Sequence, residues 1–198
     1  QIVMLNSIQK GSIKIFDKDI SNLNLEQSQE IKEQFSYLFQ FGALYSFLTV
    51  IENIAVMLKE YTDLPDDLIE KIAYTNLEIV GLPKNCAKLY PSEISGGMKK
   101  RVALARSLAL EPKILFLDEP TSGLDPASTQ MINELIIYLR DVLNITIVII
   151  THDLETIKTV LDRFVILKKD IIFDGNIKEA MNSDNEFIKD FLTNKKAL

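Results

Sequence analysis

The chain has 198 residues, 47% apolar and 25% charged, with a formal net charge of −6. That length supports one well-buried core, and the acidic balance speaks against the basic face of a nucleic-acid binder, leaving only the local cluster Lys99, Lys100, Arg101 and Arg106. The single cysteine, Cys86, excludes an internal disulfide, and no apolar run nears the roughly 18–20 residues that span a bilayer, so any membrane role has to act through a partner.

The first residues, QIVMLNSIQKG, carry no initiator Met and no basic stretch or cleavage pattern of a signal peptide. They are expected to be the end of a helix cut from something longer. SIKIF (12–16) alternates and predicts a short strand, and a helix is expected to start at Ser21 or Asn24. FSYLF (35–39) is aromatic-rich and strand-like. From Gly42 the character changes: Val50, Ile54, Met57 and Leu58 fall at helical spacing. A second helix enters through Pro65 and the acidic turn Asp66-Asp67, carries an apolar stripe of Leu68, Ile72, Leu77 and Val80, and stops at Gly81.

Residues 42 to about 110 are therefore expected to be mostly helical. From Lys113 onward strands and helices alternate: KILFL, then ASTQMINELIIYLRDVL, ITIVII, DLETIKTVL, RFVILKK, DIIFDG and two short closing helices. Continuous apolar strands separated by helices predict an α/β fold with a mostly parallel sheet covered on both faces, KILFL and ITIVII being fully buried. The helical stretch at 42–110 is then a subdomain inserted into that core.

Several of these elements end in residues that carry chemistry. In an open α/β sheet, ligands bind beyond the carboxyl ends of the strands. ILFLDEP puts Asp118 there, where it suits Mg²⁺ in a nucleotide site, and Glu119 one residue further, where it could polarise a water. THD (151–153) ends another apolar strand and holds the only histidine, His152. Gln40 directly follows FSYLF; its side-chain oxygen could bind Mg²⁺ and orient a water. TSGLD (121–125) is a glycine turn just beyond the carboxylates. In ISGGMKKRVALARSLALEP, Ser95 is placed to cap a helix beginning near Gly97, packed through Val102, Leu104, Ala105 and Leu108. Gly96 and Gly97 lack a Cβ, so an anion can approach the N–H groups at the positive end of that helix. Each feature alone also has an ordinary reading: a strand stopping at a polar turn, a structural histidine, a capped helix start.

Taken in their order, these features resemble the ATP-binding subunits of ABC transporters over essentially the whole chain. Gln40 matches that family's Q-loop, Ile94 to Met98 its signature, Asp118 and Glu119 the Walker B pair, Ser122 to Asp125 the D-loop, and His152 the switch histidine. Ile94 and Met98 depart from the usual Leu-Ser-Gly-Gly-Gln, while Ser95-Gly96-Gly97 is intact. Met98 resembles the ATPase subunits of Mla/MCE-type lipid transporters, as do the stretches 38–69 and 91–126.

The resemblance implies a P-loop NTPase (RecA-like) core within a single domain over 1–198, using ATP and Mg²⁺. It implies a head-to-tail dimer on the cytoplasmic face of the inner membrane, bound to an integral membrane permease near Gln40 and the helical subdomain, with no nucleic-acid partner. Asp118 and Gln40 would hold the metal, Glu119 would be the general base and His152 would contact the γ-phosphate. Ser95, Gly96 and Gly97 would close over the partner's nucleotide, with Asp125 linking the two sites.

The loop G-x-x-x-x-G-K-[ST] does not occur in these 198 residues: none of the seven glycines is followed by Lys. The expectation is that it lies before Gln1 in a longer ATPase, together with the strand that enters it. The chain by itself should then bind ATP poorly, hydrolyse it negligibly and expose apolar surface. Two other readings stay open here: a non-transport ATPase of the same fold, and a loop-less chain that only binds a permease or an intact ATPase.

Overall fold

The computed structural model describes residues 2–4, 6 and 8–193. Gln1, Leu5 and Ser7 of the opening segment lie outside the described residues, and its remaining residues to Lys10 contain turns and bends but no helix. The strand expected at 12–16 is only two residues long, β1 (Lys14–Ile15), paired antiparallel with β2 (Lys18–Asp19).

Helix α1 (Leu25–Lys32) starts at Asn24, the later of the two expected positions. Asn24 accepts the Gln27 N–H at 2.8 Å, and the Gln27 side chain accepts the Asn24 N–H at 3.2 Å, a reciprocal capping box. Strand β3 (Phe35–Leu38) follows.

Three α-helices stand between β3 and the next strand: α2 (Val50–Tyr61), α3 (Asp66–Ile79) and α4 (Gly96–Leu108). Residues 42–49 are not helical, and helix begins at Val50, the first residue of the expected helical spacing. They turn through Gly42 and Ala43, both at positive φ, and run to Thr49, which caps α2. Asn53 prevents an earlier helix start: fully buried, it donates to the carbonyls of Tyr45, Leu48 and Thr49 and accepts the Tyr45 N–H, holding the loop open. Helix α3 has the predicted ends, Pro65 before it and Gly81 at φ +67° beyond it. Its buried face is Ile69, Ala73, Asn76 and Leu77, whereas Leu68 is 38% exposed. The stripe is therefore rotated by one residue from the predicted one at its first turn.

Strand β4 (Ile114–Asp118), helix α5 (Pro126–Asp141), strand β5 (Thr146–Ile150) and helix α6 (Leu154–Thr159) form the alternating segment. The hairpin β6 (Phe164–Leu167) and β7 (Ile171–Gly175) is antiparallel, and helices α7 (Ile177–Met181) and α8 (Glu186–Thr193) follow it. Strands β3, β4 and β5 make a parallel sheet in that order.

Among the described residues the sheet is not covered on both faces throughout. Strand β4 is central and buried, but β5 is an edge among the described residues and alternates in burial, with Val148 and Ile150 exposed and Ile147 and Ile149 packed on the core. One apolar core runs without a break from α2 and α3 through α4 to β4 and α5, including Ile54, Leu77, Leu104, Leu115, Leu117 and Leu139. No helix of the described residues is long and apolar enough to cross a membrane.

Candidate functional site

The register of the parallel sheet decides which chemistry meets. Leu38 pairs with Leu117 and Asp118 with Ile150. Gln40, Glu119 and His152 therefore leave three neighbouring strands at one edge of the sheet. Asp118 is the last residue of β4, and its Oδ2 accepts a hydrogen bond from the Tyr37 hydroxyl of β3 at 3.2 Å. Burial, together with the adjacent Asp118 charge, pushes the Tyr37 hydroxyl up, so it stays a donor at neutral pH.

Glu119 breaks the strand. Its φ of +47° is left-handed, rare for a residue with a side chain and costly by about 1–3 kcal/mol. Its N–H still closes the ladder to the Ile150 carbonyl at 2.9 Å. The turned backbone delivers the carboxylate to the β5 side, where Oε1 lies 2.7 Å from His152 Nδ1 and accepts the His152 N–H at 3.2 Å. The Glu119 side chain is 16% exposed and the His152 ring 83% exposed. A mostly covered carboxylate thus orients an imidazole that faces outward, with Nε2 left to meet a ligand. Asp153 fixes the same loop by capping α6, accepting from Glu155 N–H, Thr156 N–H and the Thr156 hydroxyl.

A second cluster forms around the N-terminus of α4. Ser95 Oγ accepts the Met98 N–H at 3.2 Å, and the helix begins at Gly96, one residue before the predicted start. The first N–H groups of a helix have no intrahelical acceptor. A Cβ at Gly96 would meet nothing within 4 Å, and neither Gly96 nor Gly97 has positive φ. Among the described residues nothing requires glycine at position 96. A Cβ at Gly97 would come within 3.2 Å of Ser128 Oγ, which in turn donates to Asp125 Oδ2 at 2.6 Å. Asp125 also accepts the Ser128 N–H at 3.0 Å as the cap of α5, and these hydrogen bonds hold its carboxyl below the usual range. Asp125 and Ser95–Gly97 thus sit side by side.

Helix α4 joins the two clusters, through residues that sequence reasoning treated as a basic surface patch. Lys100 is buried and donates to the Glu119 carbonyl at 2.9 Å. Arg101 donates to the Gly81 carbonyl at 3.0 Å. Arg106 donates to the Gly42 and Ala43 carbonyls at 2.7 and 2.8 Å, two residues past Gln40. Three of the four cations are thus committed to main-chain oxygens of the chain itself. Tyr37 was missed as well. Its signal was the alternation of β3, which puts Phe35 and Tyr37 on one face, beside Phe116 and Asp118 of the partner strand. Among the described residues no group of three or more His, Cys, Asp or Glu could hold a metal ion alone.

Comparison with known proteins bears on this arrangement. The family model for "ABC transporter" matches residues 1–122. The chain is 36% identical to the intermembrane phospholipid transport system ATP-binding protein MlaF of Haemophilus influenzae, over 93% of this chain and 70% of that protein. It is also 36% identical to a probable ribonucleotide transport ATP-binding protein mkl of Mycobacterium leprae, over 95% of this chain but 54% of that one. Among solved structures it resembles cbiO1 from Clostridium perfringens, described as part of the ABC transporter complex cbiONQ (TM-score 0.82, 30% identity, 96% of this chain and 76% of that chain). It also resembles the dimeric post-hydrolysis state of the ATP-binding cassette MJ0796 bound to ADP and Pi (TM-score 0.78, 27% identity, 89% and 77%).

Proposed function

The chain belongs to the ABC transporter family, as an ATP-binding and ATP-hydrolysing subunit of a transporter, and from that premise we propose that it powers phospholipid transport as one half of a head-to-tail dimer. The observation that carries the dimer reading is the open approach to the α4 N-terminus at Gly96, where an added Cβ would meet nothing within 4 Å. Glu119, His152, Asp118 and Gln40 lie at the strand ends, while Ser95, Gly96 and Gly97 present a helix N-terminus with open space at Gly96. Each chain would lend its α4 N-terminus to the nucleotide held by the other.

The roles are those the family resemblance implies, and the geometry supports them. Glu119 would be the general base: its carboxylate is mostly covered and its position is fixed by a strained turn. It would take a proton from the attacking water, with His152 oriented by the same carboxylate and its Nε2 toward the γ-phosphate. Asp118 and Gln40 would hold Mg²⁺. A hard carboxylate oxygen and an amide oxygen suit that ion, which ordinarily keeps several waters, and the Tyr37 contact uses only Oδ2 of Asp118. When bound, Mg²⁺ would neutralise phosphate charge as the terminal phosphoryl group leaves. Asp125, beside Gly97 through Ser128, would relay between the two sites.

The membrane permease would dock where Phe41 and Phe47, 86% and 74% exposed, flank the loop after Gln40, next to α2 and α3. The transporter would sit in the inner membrane with this subunit on its cytoplasmic face. Phospholipid is preferred as cargo because of the likeness to MlaF and because Met98 stands in the fifth place of the signature.

The test is Glu119→Gln in the full-length gene product. Nucleotide binding should stay within about twofold while turnover falls by roughly 10²-fold or more. Near-normal turnover would remove Glu119 from the base role.

A further inference from the structure

Lys100 is the buried cation that the proposed mechanism does not use. It is 8% exposed, on the fourth residue position after Gly96 along α4, with its ammonium 2.9 Å from the main-chain oxygen of Glu119. A lysine usually keeps its charged head in water while its stem covers apolar surface. Here the head itself is drawn in. A methionine would fill the same volume without the cost of desolvating a charge, a cost seen in burial pulling the Lys100 ammonium down while the Glu119 charge pulls it back up.

The oxygen it holds belongs to the Glu119–Pro120 peptide. Pro120 has no N–H to anchor that peptide, and Glu119 is in the left-handed region. Apart from Lys100, the oxygen's described donor is the Ser122 N–H at 3.2 Å, a local contact within the same turn. The Glu119 N–H and carboxylate tie the turn to β5 and the His152 loop, and Lys100 is the contact that fastens its carbonyl to the helix whose N-terminus forms the second cluster.

We propose that Lys100 is a positioning residue that mechanically couples the two half-sites of one chain. It fixes the Glu119 turn to α4, so that engagement of an anionic phosphate by Ser95–Gly97 is transmitted to the carboxylate that serves the other nucleotide. The assignment rests on the functional reading above for the roles of the two clusters, but the tie itself does not.

Two measurements test it, on Lys100→Met, which keeps the stem, and on Lys100→Arg, which keeps a charged donor. Lys100→Gln serves as a further variant should the methionine fail to fold. In the full-length gene product, Lys100→Met should lower kcat about tenfold with KM for ATP within about twofold, and Lys100→Arg should keep at least about half of kcat. By hydrogen exchange, the Ser122 amide should exchange about tenfold faster in Lys100→Met and close to the wild-type rate in Lys100→Arg. An unchanged kcat, a KM rise that accounts for the loss, or unchanged Ser122 exchange overturns the proposal. A wild-type protein without ATP turnover would instead overturn the functional reading, and the exchange result would still decide whether Lys100 holds the turn.

Discussion

Replacing Arg106 with methionine isolates the contact that fixes the loop after Gln40. The guanidinium donates to Gly42 O at 2.7 Å and Ala43 O at 2.8 Å, and stacks 5.7 Å from the Tyr45 ring centroid. Both acceptor residues are at positive φ, which Ala43 adopts only because the loop is held. A hydrogen bond from a charged donor contributes about 1.5–3 kcal/mol, so two give about 3–6 kcal/mol gross. Burial of the guanidinium, which pulls its pKa down, offsets part of that gain. The expected net loss is about 2–3 kcal/mol. For a chain of this size each kcal/mol moves Tm by about 2–4 °C, so thermal unfolding should shift down by about 5–10 °C. Arg106→Lys should recover less than half of it, because an ammonium cannot reach two carbonyls in one plane. A shift under about 2 °C, or full rescue by lysine, would refute the reasoning that this fork holds the loop.

Two more outcomes follow from the site. Gly96→Ala should leave thermal stability unchanged or slightly raised, since the new Cβ meets nothing within 4 Å, while ATP turnover of the assembled protein falls at least about tenfold; retained turnover would show that no phosphate approaches there. Asp153 supplies a pH dependence. Its burial pulls the carboxyl up, but the hydrogen bonds from Thr156 and Glu155 outweigh this and hold it below the ordinary value. Its stabilisation is therefore complete above about pH 4 and lost as pH falls through the lowered value. Asp153→Asn should destabilise at pH 7 and flatten the acid limb of a urea-midpoint profile measured from pH 7 to pH 2.5; a parallel downward offset at every pH would contradict the sign.

Much of the fold was legible because its elements carry local signals. Pro65, Asp66-Asp67 and Gly81 bracket α3, and Ser95 marks the start of α4 to within one residue. Strand ends were legible too, and with them the shared edge of Asp118, Glu119 and His152. What the sequence could not show is position within a sheet. ITIVII reads as buried on both faces; among the described residues β5 has only β4 beside it and Val148 and Ile150 are exposed, and periodicity does not show which strands flank a segment. What holds the loop at 42–49 was not legible, because it is tertiary: the side chain of Asn53 and the fork of Arg106. Lys100 and Arg106 looked like surface charge for the same reason: their partners lie 19 and 64 residues away in sequence and are backbone oxygens, which leave no trace in side-chain pattern.

The central claim is that each nucleotide is served by Glu119 of one chain and Ser95–Gly97 of the other. It is tested by mixing two inactive variants of the full-length gene product, Glu119→Gln and Gly96→Asp, each below about a hundredth of wild-type turnover alone. In the mixed dimer one site carries both lesions and the other carries none. A 1:1 mixture that exchanges subunits freely should therefore recover roughly one quarter of wild-type turnover, half of the dimers being mixed and each having one intact site. A mixture no more active than its two parents would place both clusters in the same site and contradict the account.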